Sequence, residues 1–210
     1  YRPTRDLLHV SGLLLTGDTL DVFVCHLPSR SGGAKESESY RLYAAHILRM
    51  EVDSIMSIRS LPQVIIMGDF NDYPTNQSIQ KILEAEAPPV TTNNLASTTG
   101  STNFSTVAPS SLKLYHLLAR KAKSKDFGSY KYRGEWGLLD HLIVSGTLLN
   151  QSNHFFTSEE KANVCLLPFL LKDDEKYGDK EPFRTYKGMK YQGGVSDHLP
   201  IYADFELILY

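Results

Sequence analysis

Two cysteines in 210 residues, Cys25 and Cys165, are too few for a disulfide framework. Neither has a second thiol or an imidazole at metal-ligand spacing, and Cys25 falls inside an apolar strand pattern that suits packing. No apolar run approaches the ~20 residues needed to span a bilayer, and no signal-peptide pattern opens the chain. The net charge of -2 excludes a strongly basic nucleic-acid coat and leaves any contact with a phosphate polymer to local patches. Glycine-rich dinucleotide and P-loop patterns are missing, as are internal repeats, an interdomain linker and the ligand spacing of a zinc hydrolase. With 41% hydrophobic and 22% charged residues, what remains is an ordinary globular composition, long enough for a single domain over residues 1–210. Because the first residue is Tyr1 rather than Met, the chain is expected to start within a longer or processed product, and its compartment stays open.

Hydrophobic patterning predicts a mixed α and β fold with helices packed on sheet faces. Residues 5–15 and 19–26 read as strands around the turn Thr16-Gly17-Asp18. Alternation in the second sets Leu20, Val22, Val24 and His26 on one face, read as core-facing, and Asp21, Phe23 and Cys25 on the other. His26 then ends the row at the strand's C-terminal rim. A helix is expected over 37–59, with Ala44, Leu48, Val52 and Ile55 as its apolar stripe, followed by a buried strand over 63–67. A short helix over 76–86, ended by Pro88-Pro89, leads to a polar loop over 91–111 and a helix over 112–123 with a basic end. Further strands are expected over 138–144 and 201–207, and the acidic run Asp173-Asp174-Glu175 reads as a solvated loop.

Two stretches carry chemistry. Val64-Ile65-Ile66-Met67-Gly68-Asp69-Phe70-Asn71-Asp72 is an apolar run that stops at a glycine and then presents an acid and an amide two residues apart. In extended backbone that spacing points Asp69 and Asn71 the same way. Asp69 is suited to orient or deprotonate a water, and Asn71 to donate to oxygens gaining negative charge. The competing reading is an Asx turn that merely closes a strand. Far downstream, Gly193-Gly194-Val195-Ser196-Asp197-His198-Leu199-Pro200 offers an adjacent acid and imidazole behind a flexible glycine pair. Acids, an amide and an imidazole at strand ends are what metal-assisted attack on a phosphate ester requires. Ser29 and Arg30, in the loop after His26, are candidates to hold a phosphate oxygen, Arg because its planar fork bonds bidentately; a solvated loop arginine fits equally well. The basic run Arg120, Lys121, Lys123 and Lys125, with Lys131, Tyr132 and Arg133, fits either a nucleic-acid backbone or a solvated helix end. Trp136, with Tyr130 and Tyr132, walls the site or plugs the fold's edge. His9, His46, His116, His141 and His154 lack paired ligand spacing and read as structural or surface residues, with His141 on the strand face opposite Asp140.

His26-Leu27-Pro28-Ser29-Arg30, Gly68-Asp69-Phe70-Asn71, Leu139-Asp140-His141 and Ser196-Asp197-His198, in this order, resemble the endonuclease/exonuclease/phosphatase superfamily of DNase I-like proteins. Segments 130–136 and 182–186 resemble a bacterial subgroup, and the resemblance covers nearly the whole chain. It implies a four-layered α/β sandwich of two mainly antiparallel sheets flanked by helices, with the site at one rim. It also implies a Mg²⁺- or Mn²⁺-dependent phosphoesterase using His26, Asp69, Asn71, Asp140 and His198, with Asp140 holding His198 and Asp197 at the metal. The family's Asn and its principal metal-binding Glu are expected upstream of Tyr1, so the chain resembles a member lacking its N-terminal part. The leading expectation is a nuclease-like hydrolase of phosphate esters; the alternative is a non-catalytic phosphate-binding module on the same fold. DNA, RNA, inositol phosphates and phospholipid head groups all remain open as substrates.

Overall fold

The computed structural model describes residues 5–90 and 109–209, so most of the loop expected over 91–111 lies outside the described residues. The chain opens with β1 (Leu8–Leu13), β2 (Thr19–His26), α1 (Glu38–Ile58) and β3 (Gln63–Asp69). β4 (Leu114–His116), β5 (Tyr130–Tyr132), β6 (Glu135–Gly137) and β7 (Asp140–Ser145) follow. The last third holds β8 (Phe155–Phe156), β9 (Ala162–Val164), β10 (Leu171–Asp173), β11 (Lys180–Pro182), β12 (Tyr186–Lys187), β13 (Lys190–Tyr191), β14 (Ile201–Ala203) and β15 (Glu206–Leu207).

The main sheet has the order β1-β2-β3-β7-β4 and is mostly antiparallel. Only β2 and β3 run parallel, and α1 is their crossover. α1 covers one face, where Ala45, Leu48, Val52 and Met56 pack on Phe23, Cys25, Val64 and Ile66. On the opposite face Ile65, Leu142 and Val144 meet Ala162 and Val164 of β9, with Ile201 and Ala203 of β14 partly buried against them. Helix, sheet and a second layer of short antiparallel pairs, β9 with β14 and β8 with β15, form an α/β sandwich.

Residues 112–123 do not form the expected helix. Leu114, Tyr115 and His116 are all buried in β4, which pairs with β7 on one side and bridges Glu86 on the other. Leu114 packs on the α1 side, while Tyr115, Leu117 and Leu118 pack on the other. A strand buried on both faces loses its alternation, and its apolar spacing then imitates a helix. Only Lys121–Lys123 forms a single 3₁₀ turn there. The short helix over 76–86 shrinks to one π turn, Ser78–Ile82. The strand over 201–207 is broken at Asp204, where the chain leaves β9 and pairs with β8 instead. On β2 the deeper face is the one carrying Asp21, Phe23 and Cys25, because α1 covers it, while Val24 and His26 are exposed. Asp174 departs from the expected solvated loop: it is buried against the buried Lys131 at 3.3 Å.

Candidate active site

Strand register brings three candidate side chains to one rim. The β2–β3 pairing sets His26 beside Asp69, and the β3–β7 pairing sets Asp69 opposite Asp140. Alternation puts Asp69 on the face of Ile65 and Asp140 on that of Leu142 and Val144, the side of the second β layer. Gly68 makes the approach possible. Its φ is +132°, and a Cβ there would lie 1.9 Å from the Cys25 carbonyl oxygen.

Asp69 organises the β2–β3 end. Its Oδ1 accepts the Asn71 backbone N–H at 2.8 Å, and its Oδ2 accepts the Asn71 amide at 3.1 Å. Asn71 has φ 51°, a left-handed conformation that Asn tolerates, and its amide also donates to the Leu27 carbonyl at 3.1 Å. The Asx turn is therefore real, and the carboxylate it holds lies 3.4 Å from His26 Nε2.

Asp140 organises the other end. Its Oδ2 accepts from His198 Nδ1 at 2.7 Å and from the hydroxyl of Ser129. Ser129 is fully buried, and its Oγ accepts the backbone N–H groups of Leu139 and Asp140, so its own proton is directed at the carboxylate. Its carbonyl accepts Leu199 N–H at 2.7 Å, which ties the His198 loop to the same residue. With Nδ1 committed to Asp140, Nε2 is the His198 nitrogen left to meet a substrate oxygen.

The electrostatics set the two ends apart. Burial pushes the Asp69 carboxyl above its ordinary range and the charge of Asp140 adds to this, against the Asn71 N–H and the two imidazoles. Burial works against a charged His198, but the hydrogen bond and charge of Asp140, with the charges of Asp69 and Asp197, outweigh it and raise its pKa.

One ligand atom each from Asp69, Asp140 and His198 falls within a shared 4.8 Å. Two half-buried carboxylates facing each other across adjoining strands suit a hard divalent cation bound through oxygen. Asp197 lies outside this group; it is exposed and acts on His198 through its charge. Ser29 is exposed, with its hydroxyl accepting Ser31 N–H, so it is not drawn into the cluster. Arg30 is half-buried, with its guanidinium 4.7 Å from the ring centre of Tyr73 and its Nε without a partner.

The expected structural histidines include a buried pair behind the site. His116 Nδ1 accepts Leu118 N–H, so His116 donates from Nε2 to His141 Nδ1, and His141 Nε2 donates to the Asp72 carbonyl at 2.8 Å. Both rings are neutral in this order, and burial holds His116 well below its usual pKa and His141 at about 4. Of the basic run, Arg120 is engaged by Glu159 and the Pro88 carbonyl, and Lys121 by the Ala162 carbonyl. Ser129 and the buried Arg41–Asp72 pair escape sequence reasoning, since a lone serine and an arginine in the first turn of a helix carry no motif.

A family model described as Endonuclease/Exonuclease/phosphatase family matches residues 2–207. The chain belongs to this family, whose members hydrolyse phosphoester bonds and whose fold is the DNase I-like α/β sandwich. Among solved structures, it is similar to the human Nocturnin catalytic domain with bound sulfate: 17% identity, 98% of this chain, 60% of that chain and a TM-score of 0.49. A Bacteroides thetaiotaomicron mannosyl-6-phosphatase matches at 15% identity over 90% of this chain and 52% of its own, with a TM-score of 0.48. Truncated Caenorhabditis elegans TDP2 matches at 14% identity over 93% of this chain and 57% of its own, also with a TM-score of 0.48. The chain thus spans between half and two thirds of the length of these structures. No curated protein sequence matches it.

Proposed function

We propose that the chain carries the catalytic rim of a Mg²⁺- or Mn²⁺-dependent phosphoesterase that cleaves a P–O bond by in-line attack of water, most simply a nuclease-like phosphodiesterase. The observation that supports this most is the convergence of two bonded groups, His26–Asp69–Asn71 and Asp140–His198, with ligand atoms of Asp69, Asp140 and His198 within 4.8 Å of one another. A divalent cation held by Asp69 and Asp140 would neutralise phosphoryl charge and ease departure of the leaving oxygen. Asp69 orients the attacking water and takes its proton. His198, protonated and held by Asp140, presents Nε2–H to a phosphoryl oxygen as charge builds. His26 donates from the opposite side. Asn71 fixes the Asp69 carboxylate in the resting arrangement, and one of its amide hydrogens turns to the phosphoryl group when substrate arrives.

The test is a panel: a single-stranded oligonucleotide, an inositol phosphate, a phospholipid and p-nitrophenyl phosphate, each incubated with the protein in Mg²⁺ and in EDTA. Metal-dependent release of product from at least one supports the reading, and greatest turnover on the oligonucleotide supports the nuclease assignment. No turnover on any substrate, together with retained phosphate binding, would move the case to a non-catalytic phosphate-binding module.

A further inference from the structure

We infer that Arg184 forms a second anion subsite beside His198, so that the preferred substrate carries another phosphate near the reacting one. This rests on the phosphoesterase reading for the chemistry but not for the binding. Arg41, Arg49, Arg59 and Arg120 each have a carboxylate within ion-pair distance. Among the described residues Arg184 has none. Its guanidinium is half-buried, lies 5.2 Å from the ring centre of Tyr130 and gives Nη2 to the Lys131 carbonyl at 2.6 Å. Its Nε is buried without a partner among the described residues. An unpaired buried donor is costly, more so when charged, and a ligand oxygen would relieve that cost.

The placement decides which ligand. The Tyr130 ring lies 4.9 Å from that of His198, and the two residues bridge through their backbones. Gly194 donates its N–H to the Arg184 carbonyl at 3.2 Å and packs so closely that a Cβ would lie 2.6 Å from that oxygen. The loop that delivers His198 is therefore fastened to the backbone of Arg184, and one tyrosine separates the guanidinium from the imidazole. Two edges of a planar fork, held by stacking and one carbonyl, fit the paired oxygens of a phosphate better than a single carbonyl dipole. A polymer of phosphodiesters, or a small ester with two phosphates, satisfies both points at once. Arg30, also without a carboxylate and with an unpartnered Nε, offers a similar stacked guanidinium over Tyr73.

Two arms test this. First, the Nε–H signal of Arg184 is followed by NMR while inorganic phosphate and then pyrophosphate are added to the protein. A saturable shift, about tenfold tighter for pyrophosphate, is expected, and an unmoved signal at 10 mM of either overturns the inference. Second, the dinucleotide TpT is compared with pTpTp, which bears a phosphate at each end, in Mg²⁺. The wild type should favour pTpTp by about tenfold in kcat/KM, and Arg184→Lys should cut that ratio below about threefold. An equal loss on both substrates marks Arg184 as a structural clamp and overturns the inference. Should Arg184→Lys fail to fold, the NMR arm on the wild type decides. If the wild type cleaves neither dinucleotide, the nuclease-like assignment fails while the binding arm still judges the subsite.

Discussion

Arg41→Met, at a buried charge on α1, should cost several kcal/mol of stability (about 3–5), and it should loosen the site from behind. Arg41 is 1% exposed and gives Nε to Asp72 Oδ1, Nη1 to Ser37 Oγ and Nη2 to the Ala34 carbonyl, each at 2.7 Å. Removing it strands the Asp72 carboxylate, 3% exposed, with only the Ser78 hydroxyl. Breaking one side of a buried pair costs about 3–5 kcal/mol because a charge is left uncompensated. For a chain of this length that corresponds to a fall of about 6–20 °C in melting temperature. Urea denaturation of the single variants and of the double variant Arg41→Met/Asp72→Asn separates charge from packing. If the stranded charge dominates, the double variant recovers part of the loss of Arg41→Met. A single-variant loss under about 1 kcal/mol, or a double variant as unstable as the two losses added, would refute the reasoning. Because the Asp72 carbonyl also receives His141 and Asp72 follows Asn71, turnover should fall with stability.

Two further outcomes follow from the geometry. The His116–His141 pair stays neutral in the fold down to about pH 4, whereas both titrate near 6.5 once unfolded. The unfolded chain therefore binds more protons below 6.5, so the pair's stabilisation is complete above that pH and is lost as pH falls toward 4, on the order of 3 kcal/mol from His141. The ring-proton NMR signals of both histidines should keep their neutral positions from pH 7 to 5, and movement in that window would contradict the proton order assigned to them. Gly68→Ala should unfold the β2–β3 end, because its Cβ would meet the Cys25 carbonyl at 1.9 Å in a backbone conformation closed to alanine; a melting temperature within 2 °C of the wild type would contradict this.

How much of this was legible depends on the range over which each signal acts. His26 and Asp69 are readable as strand-end residues because alternation and a terminating glycine are local, Asp140 only through its motif, and β2, α1, β3 and β7 follow their hydrophobic periods closely. His198 was readable through its motif. β4 was not, because burial on both faces erases the period that distinguishes strand from helix. Asp174 read as solvent-facing because its partner, Lys131, is distant in sequence and arrives only through the fold. Ser129 has the same character: its hydroxyl matters only where β7 and the His198 loop meet. The depth of the β2 faces does not follow from apolar content, which favours Leu20, Val22 and Val24, because α1 settles on the face that also carries Asp21, satisfied there by Arg59 and His9.

The central claim is that Asp69 and His198 perform chemistry at a shared rim rather than close a turn and decorate a loop. Its most direct measurement is turnover of the best phosphodiester from the substrate panel by wild type, Asp69→Asn and His198→Ala at one Mg²⁺ concentration, with melting curves alongside. The account predicts kcat lower by about 10²–10⁴-fold in each variant and melting temperatures within a few degrees of wild type. Unchanged turnover in either correctly folded variant would contradict it.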